Sequence, residues 1–268
     1  MRFVEKLLAC SRRNGSLLCV GLDTDRSRLP HSLDGDVLAF NRAIIEATSD
    51  LVCAYKPNIA FYEVLGETGW RVLKETIRAV PAGVPVILDA KRGDIGNTAW
   101  RYASAFFEEL GVDAVTVNAY MGFDAVEPFL SYEDRCAFVL CLTSNPGAMD
   151  FQYLSVEGKP LYRVVAEKVV EWNQAGSCGL VIGATRAEAL RELREIAPDL
   201  PFLIPGIGAQ GGDLEKVVRY GTDQQGELAI INASRAVLYA SNERDFAEAA
   251  RGVASELRMT ANRFRKDT

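Results

Sequence analysis

Eight short apolar runs, spaced along the chain by stretches of helical character, constrain its fold more than any other feature. They occupy residues 17–22, 51–55, 84–88, 114–117, 137–142, 179–182, 202–204 and 228–231. Most are near-continuously hydrophobic rather than alternating, as expected of parallel strands buried on both faces. Helices are expected over 2–13, 37–48 (with Asp34 placed to cap it), 99–111, 161–175, 187–197 and 245–264. A further helical stretch, 59–80, carries Gly66 and Gly69 and should break there. Strand and helix alternate throughout, with no linker, low-complexity segment or repeat of fixed period. At 268 residues the chain is close to the roughly 250 of a (β/α)8 barrel. The pattern predicts an α/β fold, a (β/α)8 TIM barrel forming a single domain over residues 1–268, in preference to an open doubly wound sheet.

Composition narrows the chemistry. Apolar residues make up 49% and charged residues 25%, enough for a full core. A net charge of −6 argues against a nucleic-acid partner. The first residues read as an amphipathic helix rather than a signal peptide, and no apolar run reaches a membrane span, so a cytoplasmic location is expected. Six cysteines (10, 19, 53, 136, 141 and 178) form no C-x-x-C, and Cys19, Cys53, Cys141 and Cys178 lie in or beside apolar runs. Buried, reduced thiols follow. The lone histidine, His31, sits in a polar loop and offers little to a zinc site or a Ser-His-Asp triad. No metal site is expected, and acid–base work falls to lysine and aspartate.

The third run leads into Asp89-Ala90-Lys91-Arg92-Gly93-Asp94, with Asn97 or Thr98 placed to cap the next helix. Residues two apart on a strand share a side, so Asp89 and Lys91 should project together from its C-terminal end. That is the end where parallel barrels place their chemistry. Flanking carboxylates oppose the loss of a proton that burial alone would impose on a lysine. The spacing suggests a lysine that stays charged and can donate a proton; the plain alternative is an ion-pair set closing a strand end. Asp23, Lys56, Asn118, Ser144, Gln210 and Arg235 end other strands and should converge on the same face. Residues 206–211 spell G-x-G-x-x-G, but a dinucleotide site needs an acid about 20 positions on, and 229–232 has none. A phosphate cradle completed by Arg235 fits better, with a glycine-rich surface loop as the plain alternative.

Together these residues resemble the orotidine 5′-phosphate decarboxylase family. The resemblance rests on the decamer Asp89 to Thr98 and extends, in the family's order, over Gly21-Leu22-Asp23, Tyr55-Lys56-Pro57-Asn58, residues 142–147, residues 205–212 and Ser234-Arg235. The length and residues 56–63 resemble the longer bacterial (type 2) branch. Ala119 departs from the pattern, standing in a loop where proline is expected. The resemblance implies cofactor-independent decarboxylation of orotidine 5′-phosphate to UMP, the last step of de novo UMP biosynthesis. It implies a homodimer whose sites are shared: Lys56, Asp89 and Lys91 of one subunit with Asp94 of the other, Lys91 protonating C6. It further implies that Ile95 and Thr98 reach across the interface, Thr98 near the ribose. Asp23 and Lys56 would bind ribose hydroxyls, Ser144 the pyrimidine edge, and Gln210 with Arg235 the phosphate. Rival readings are a metal-dependent sugar-phosphate decarboxylase or aldol enzyme of the same barrel group, a Schiff-base lysine enzyme, and a non-catalytic nucleotide-phosphate binder. Lys56 stands where the metal-dependent relatives need a carboxylate, and the aspartates beside Lys91 oppose the neutral amine a Schiff base requires.

Overall fold

The computed structural model describes residues 1–207 and 213–265. Eight parallel strands form one sheet: β1 (Leu18–Gly21), β2 (Ala54–Lys56), β3 (Ile87–Arg92), β4 (Ala114–Val117), β5 (Cys136–Leu142), β6 (Cys178–Ile182), β7 (Phe202–Pro205) and β8 (Ala229–Ala233). Their spatial order is β2-β1-β8-β7-β6-β5-β4-β3. The ring closes between β2 and β3 through the bridges Tyr55↔Val86 and Asn58↔Asp89 rather than a continuous ladder. Asp89 N donates to Pro57 O at 2.9 Å across that seam. The fold is the expected (β/α)8 barrel.

Two apolar layers hold it. The outer one packs strands against helices, among them Phe40 and Ile44 of α2 (Val37–Thr48) and Leu190 and Leu193 of the helix Ala187–Ile196. The inner one fills the barrel with Cys19, Ile87, Phe138, Val181, Leu203 and Ile230. Its lower end is plugged by α1 (Phe3–Asn14), whose Phe3 meets the Phe138 ring edge-on at 5.5 Å. The amphipathic N-terminus is therefore a core element. All six cysteines are free and buried, as expected. Among the described residues no helix is long and apolar enough to cross a membrane.

Several local expectations are corrected. Asp36, not Asp34, caps α2, accepting from Ala39 N at 2.9 Å; Asp34 instead takes a left-handed conformation that ends a short turn. The helix after β3 starts at Gly96 with Ile95 in the cap position, so Asn97 and Thr98 lie inside its first turn and cap nothing. That helix runs to Ser104 and continues as a π-helical turn, Ala105–Leu110, before left-handed Gly111. The 59–80 stretch breaks at Gly66, as expected, and resumes at Gly69. In the long connection after β5, Ser155–Val156 pairs with Lys159–Pro160 in a hairpin that the apolar pattern did not indicate. Its turn, Glu157-Gly158, has positive φ at both positions, the backbone that twisted two-residue hairpins require.

Candidate active site

The site is organised by an irregularity in β3. Leu88 pairs with Val115 and Arg92 with Val117, so Asp89, Ala90 and Lys91 together face one residue of β4, Thr116. Such a bulge re-aims side chains and leaves backbone groups without ladder partners. Thr116 supplies them: its Oγ1 accepts from Ala90 N and Lys91 N, both at 3.0 Å, and donates to Asp89 Oδ1 at 3.0 Å. Lys91 has a φ of 49°, a left-handed backbone that costs a residue with a Cβ about 1–2 kcal/mol. Asp89 and Lys91 do share a side, but plain two-residue alternation is not the cause. The bulge turns the Lys91 side chain back, and its Nζ lies 2.5 Å from Asp89 Oδ1.

The other oxygen of Asp89 serves a second lysine. Lys56, 2% exposed at the end of β2, places Nζ 3.0 Å from Asp89 Oδ2 and 3.5 Å from Asp23 Oδ1. Burial alone would push Lys56 down, but the Asp23 and Asp89 carboxylates outweigh it and hold its ammonium above the usual lysine range. Burial likewise pushes the Asp89 carboxyl up, and the two lysines outweigh it, leaving it well below the usual carboxylate range. The result is an alternating array, Asp23, Lys56, Asp89, Lys91. Beneath it the Cys19 thiol is pushed up to about 12 by burial and stays neutral. Asp23 Oδ1 is buried and accepts no hydrogen bond from the described residues, although Lys56 answers its charge.

The array lies at one side of a cavity of about 630 Å³ at the C-terminal ends of the strands. Ser144, just after β5, lines it beside Gly183, where an added Cβ would sit 2.8 Å from Ser144 N; only glycine permits that approach. Arg235 opens a short helix, Arg235–Leu238, on the opposite rim. Four residues on, the Tyr239 ring carries the Arg28 guanidinium 3.8 Å from its centroid, and its hydroxyl accepts from Asp25 N at 2.7 Å. This fastens the β1 loop to the β8 end. Asn232, also lining the cavity, has a buried Oδ1 without a hydrogen-bond partner among the described residues.

Of the residues expected in the site, Asp23, Lys56, Asp89, Lys91, Ser144 and Arg235 line this one cavity. Asn118 does not: β4 ends at Val117, and Asn118 Oδ1 turns back to accept from Tyr120 N at 3.0 Å. Asp94, Ile95 and Thr98 lie outside the cavity on the loop and helix after β3, where Asp94 accepts from Ile95 N at 2.8 Å and Ile95 and Thr98 are exposed. Gln210 and residues 208–212 of the glycine-rich run lie outside the described residues. Thr116 and Asn232 were missed. Thr116 reads as an ordinary β-branched strand residue, and only the polarity of Asn232 at the end of an apolar run signalled it. No group of three or more histidine, cysteine, aspartate or glutamate side chains among the described residues is arranged to hold a metal ion.

A parallel barrel with a lysine–aspartate array at the C-terminal rim defines a (β/α)8 enzyme equipped for proton transfer. A profile of the Orotidine 5'-phosphate decarboxylase / HUMPS family matches residues 16–250, and the chain belongs to that family. The orotidine 5′-phosphate decarboxylase of Herpetosiphon aurantiacus is 54% identical over 257 residues, covering 94% of this chain and 95% of the relative. That of Cupriavidus necator is 54% identical over 270 residues, covering 99% of each. Among solved structures, Leishmania donovani OMP decarboxylase matches with a TM-score of 0.88 and 41% identity over 100% of both chains.

Proposed function

We propose that this chain, acting as one catalytic domain over residues 1–268, decarboxylates orotidine 5′-phosphate to UMP without a cofactor, in the cytoplasm, as the last step of UMP biosynthesis. The observation that carries this reading is the ordered array Asp23–Lys56–Asp89–Lys91 beside one open cavity. Loss of carbon dioxide breaks the bond at C6 and leaves its electron pair on the ring carbon. A fixed ammonium placed where that charge develops stabilises it without reorganisation. Lys91 supplies it and transfers a proton to C6, then recovers one from water. Asp89 orients Lys91, and Lys56 holds Asp89 from the other side.

The remaining roles follow the cavity's polarity. Asp23 Oδ1, a buried acceptor without a hydrogen-bond donor among the described residues, suits a ribose hydroxyl, with Lys56 beside it. Ser144 reads the pyrimidine edge, and Arg235 binds the phosphate together with Gln210. The second carboxylate near Lys91 is Asp94 of the partner subunit, with Ile95 and Thr98 of that subunit beside it. Exposed apolar side chains around that loop support pairing of two copies: Ile95 at 57%, Trp100 at 45% and Tyr120 at 84% exposure. No nucleic acid or membrane takes part. The metal-dependent alternative must place its cation where Lys56 already meets both carboxylates.

The test is to add orotidine 5′-phosphate to the purified protein in the presence of a strong chelator and follow its ultraviolet absorbance. Turnover to UMP, undiminished by the chelator and absent from Lys91→Ala, is expected. Dependence on an added metal would favour the sugar-phosphate chemistry of the same barrel group, and binding without turnover would favour a nucleotide-phosphate binder.

A further inference from the structure

Thr116 stands in no expected role, yet it is the residue on which the β3 bulge closes. It is 1% exposed, lines the cavity, and forms three contacts at 3.0 Å. A hydroxyl has two acceptor lone pairs and one donor hydrogen. Both lone pairs face the N–H groups of Ala90 and Lys91, so the hydrogen is left to Asp89 Oδ1. That is the carboxylate oxygen on which Lys91 Nζ rests at 2.5 Å. One atom therefore fixes the Lys91 backbone in its left-handed conformation and also the rotation of the carboxylate that aims the Lys91 side chain.

We infer that Thr116 is a positioning residue for Lys91: its hydroxyl sets where the ammonium meets C6 and does not itself touch the reacting atoms. The inference rests on the decarboxylase reading above. Two features make the hydroxyl, rather than the strand, the operative group. Leu88 and Arg92 keep their ladder partners on either side without it. The N–H of Asp89 is already held from β2, by Pro57 O at 2.9 Å. What the hydroxyl holds is the pair of N–H groups at Ala90 and Lys91. A valine has the same shape and offers nothing to those groups or to Asp89.

The experiment compares Thr116→Val and Thr116→Ser with the unaltered enzyme, reading kcat on orotidine 5′-phosphate, the dissociation constant of UMP, and Tm. Displacement of a reacting group by about 1 Å costs on the order of 100-fold, so kcat of Thr116→Val should fall by at least ~30-fold. UMP, which needs no proton from Lys91, should bind within ~3-fold of the parent, because only transition-state contacts are lost. Thr116→Ser, which keeps the hydroxyl, should retain kcat within ~3-fold. A valine variant with unchanged kcat, or one whose UMP affinity falls in step with kcat, overturns the inference. Thr116→Ala is measured alongside in case the valine variant does not fold. If both lose their fold while serine keeps it, the hydroxyl belongs to stability and the inference also fails. An unaltered enzyme inert on orotidine 5′-phosphate would instead sink the functional reading itself.

Discussion

Lys91 and Asp89, two residues apart on one strand, form an ion pair of 2.5 Å across a left-handed kink, and the far oxygen of the same carboxylate holds Lys56 at 3.0 Å. The two lysines differ sharply in burial, with side chains 48% and 3% exposed respectively. Their substitutions should separate accordingly. Lys91→Ala removes the proposed proton donor from a half-exposed position, and turnover should fall by ~10³-fold or more with Tm nearly unchanged. Lys56→Ala removes the buried cation between Asp23 and Asp89, leaving Asp23 without its partner and Asp89 with Lys91 alone, and should also cost about 3–5 kcal/mol of stability. Thermal unfolding of the two variants side by side checks this; equal losses of stability would contradict the difference in burial.

Arg235 is exposed at the cavity rim, and no carboxylate of the described residues pairs with it. A charge-assisted bond to a phosphate contributes roughly 1.5–3 kcal/mol. Arg235→Ala should therefore raise KM by about 10- to 150-fold while the melting curve stays in place. A variant that melts at ambient temperature, or one with unchanged KM, would remove Arg235 from the phosphate site.

If Asp94 completes the site of a neighbouring copy, Lys91→Ala and Asp94→Ala chains carry complementary defects. Each alone should be nearly inert. In a mixed dimer one site collects both substitutions and the other is intact, so equal mixing should restore about a quarter of parental activity. Mixing after brief unfolding and refolding, with the assay read before and after, gives the result. Failure to recover activity in demonstrably mixed dimers would confine Asp94 to its own chain.

Stability should depend on pH through the same array and through the Arg12–Glu227 pair. In the folded protein Asp89 is held below its usual range, since burial, which raises it, is outweighed by Lys56 and Lys91. Glu227 is held down chiefly by its hydrogen bond from Arg12. Above the unfolded aspartate value of about 3.9 this stabilisation is fully present. As pH falls below it, the unfolded chain gains protons that the folded chain refuses, and stability declines. Lys56, held above its usual range by the carboxylates, acts in the opposite window: its contribution is complete below about 10.4 and is lost as pH rises through the folded value. Urea midpoints should thus be flat near neutrality and fall below pH ~4, less steeply in Asp89→Asn. An identical acid limb in that variant would count against the argument.

The order and number of barrel strands were legible because each is a local apolar run whose burial on both faces leaves a plain trace in composition. Residues at strand ends were legible for a similar reason: Asp23, Lys56, Ser144 and Arg235 interrupt apolar runs where a parallel barrel opens to solvent. Cap positions were less so. Asp34 and Asp36 are chemically interchangeable as caps, and only backbone geometry chose the second. Asn118 was misplaced because a strand's end depends on where its neighbour stops pairing.

The sequence by itself determined the fold, through hydrophobic pattern, and the chemical identity of the charged residues. The tertiary structure decided how Asp89 and Lys91 come together, because a bulge belongs to two strands and not to one. Three residues of β3 are set against Thr116 of β4 only when both ladders form. Thr116, read alone, is one more branched side chain in a buried strand; across the bulge its hydroxyl meets the backbone of Lys91 and the carboxylate of Asp89.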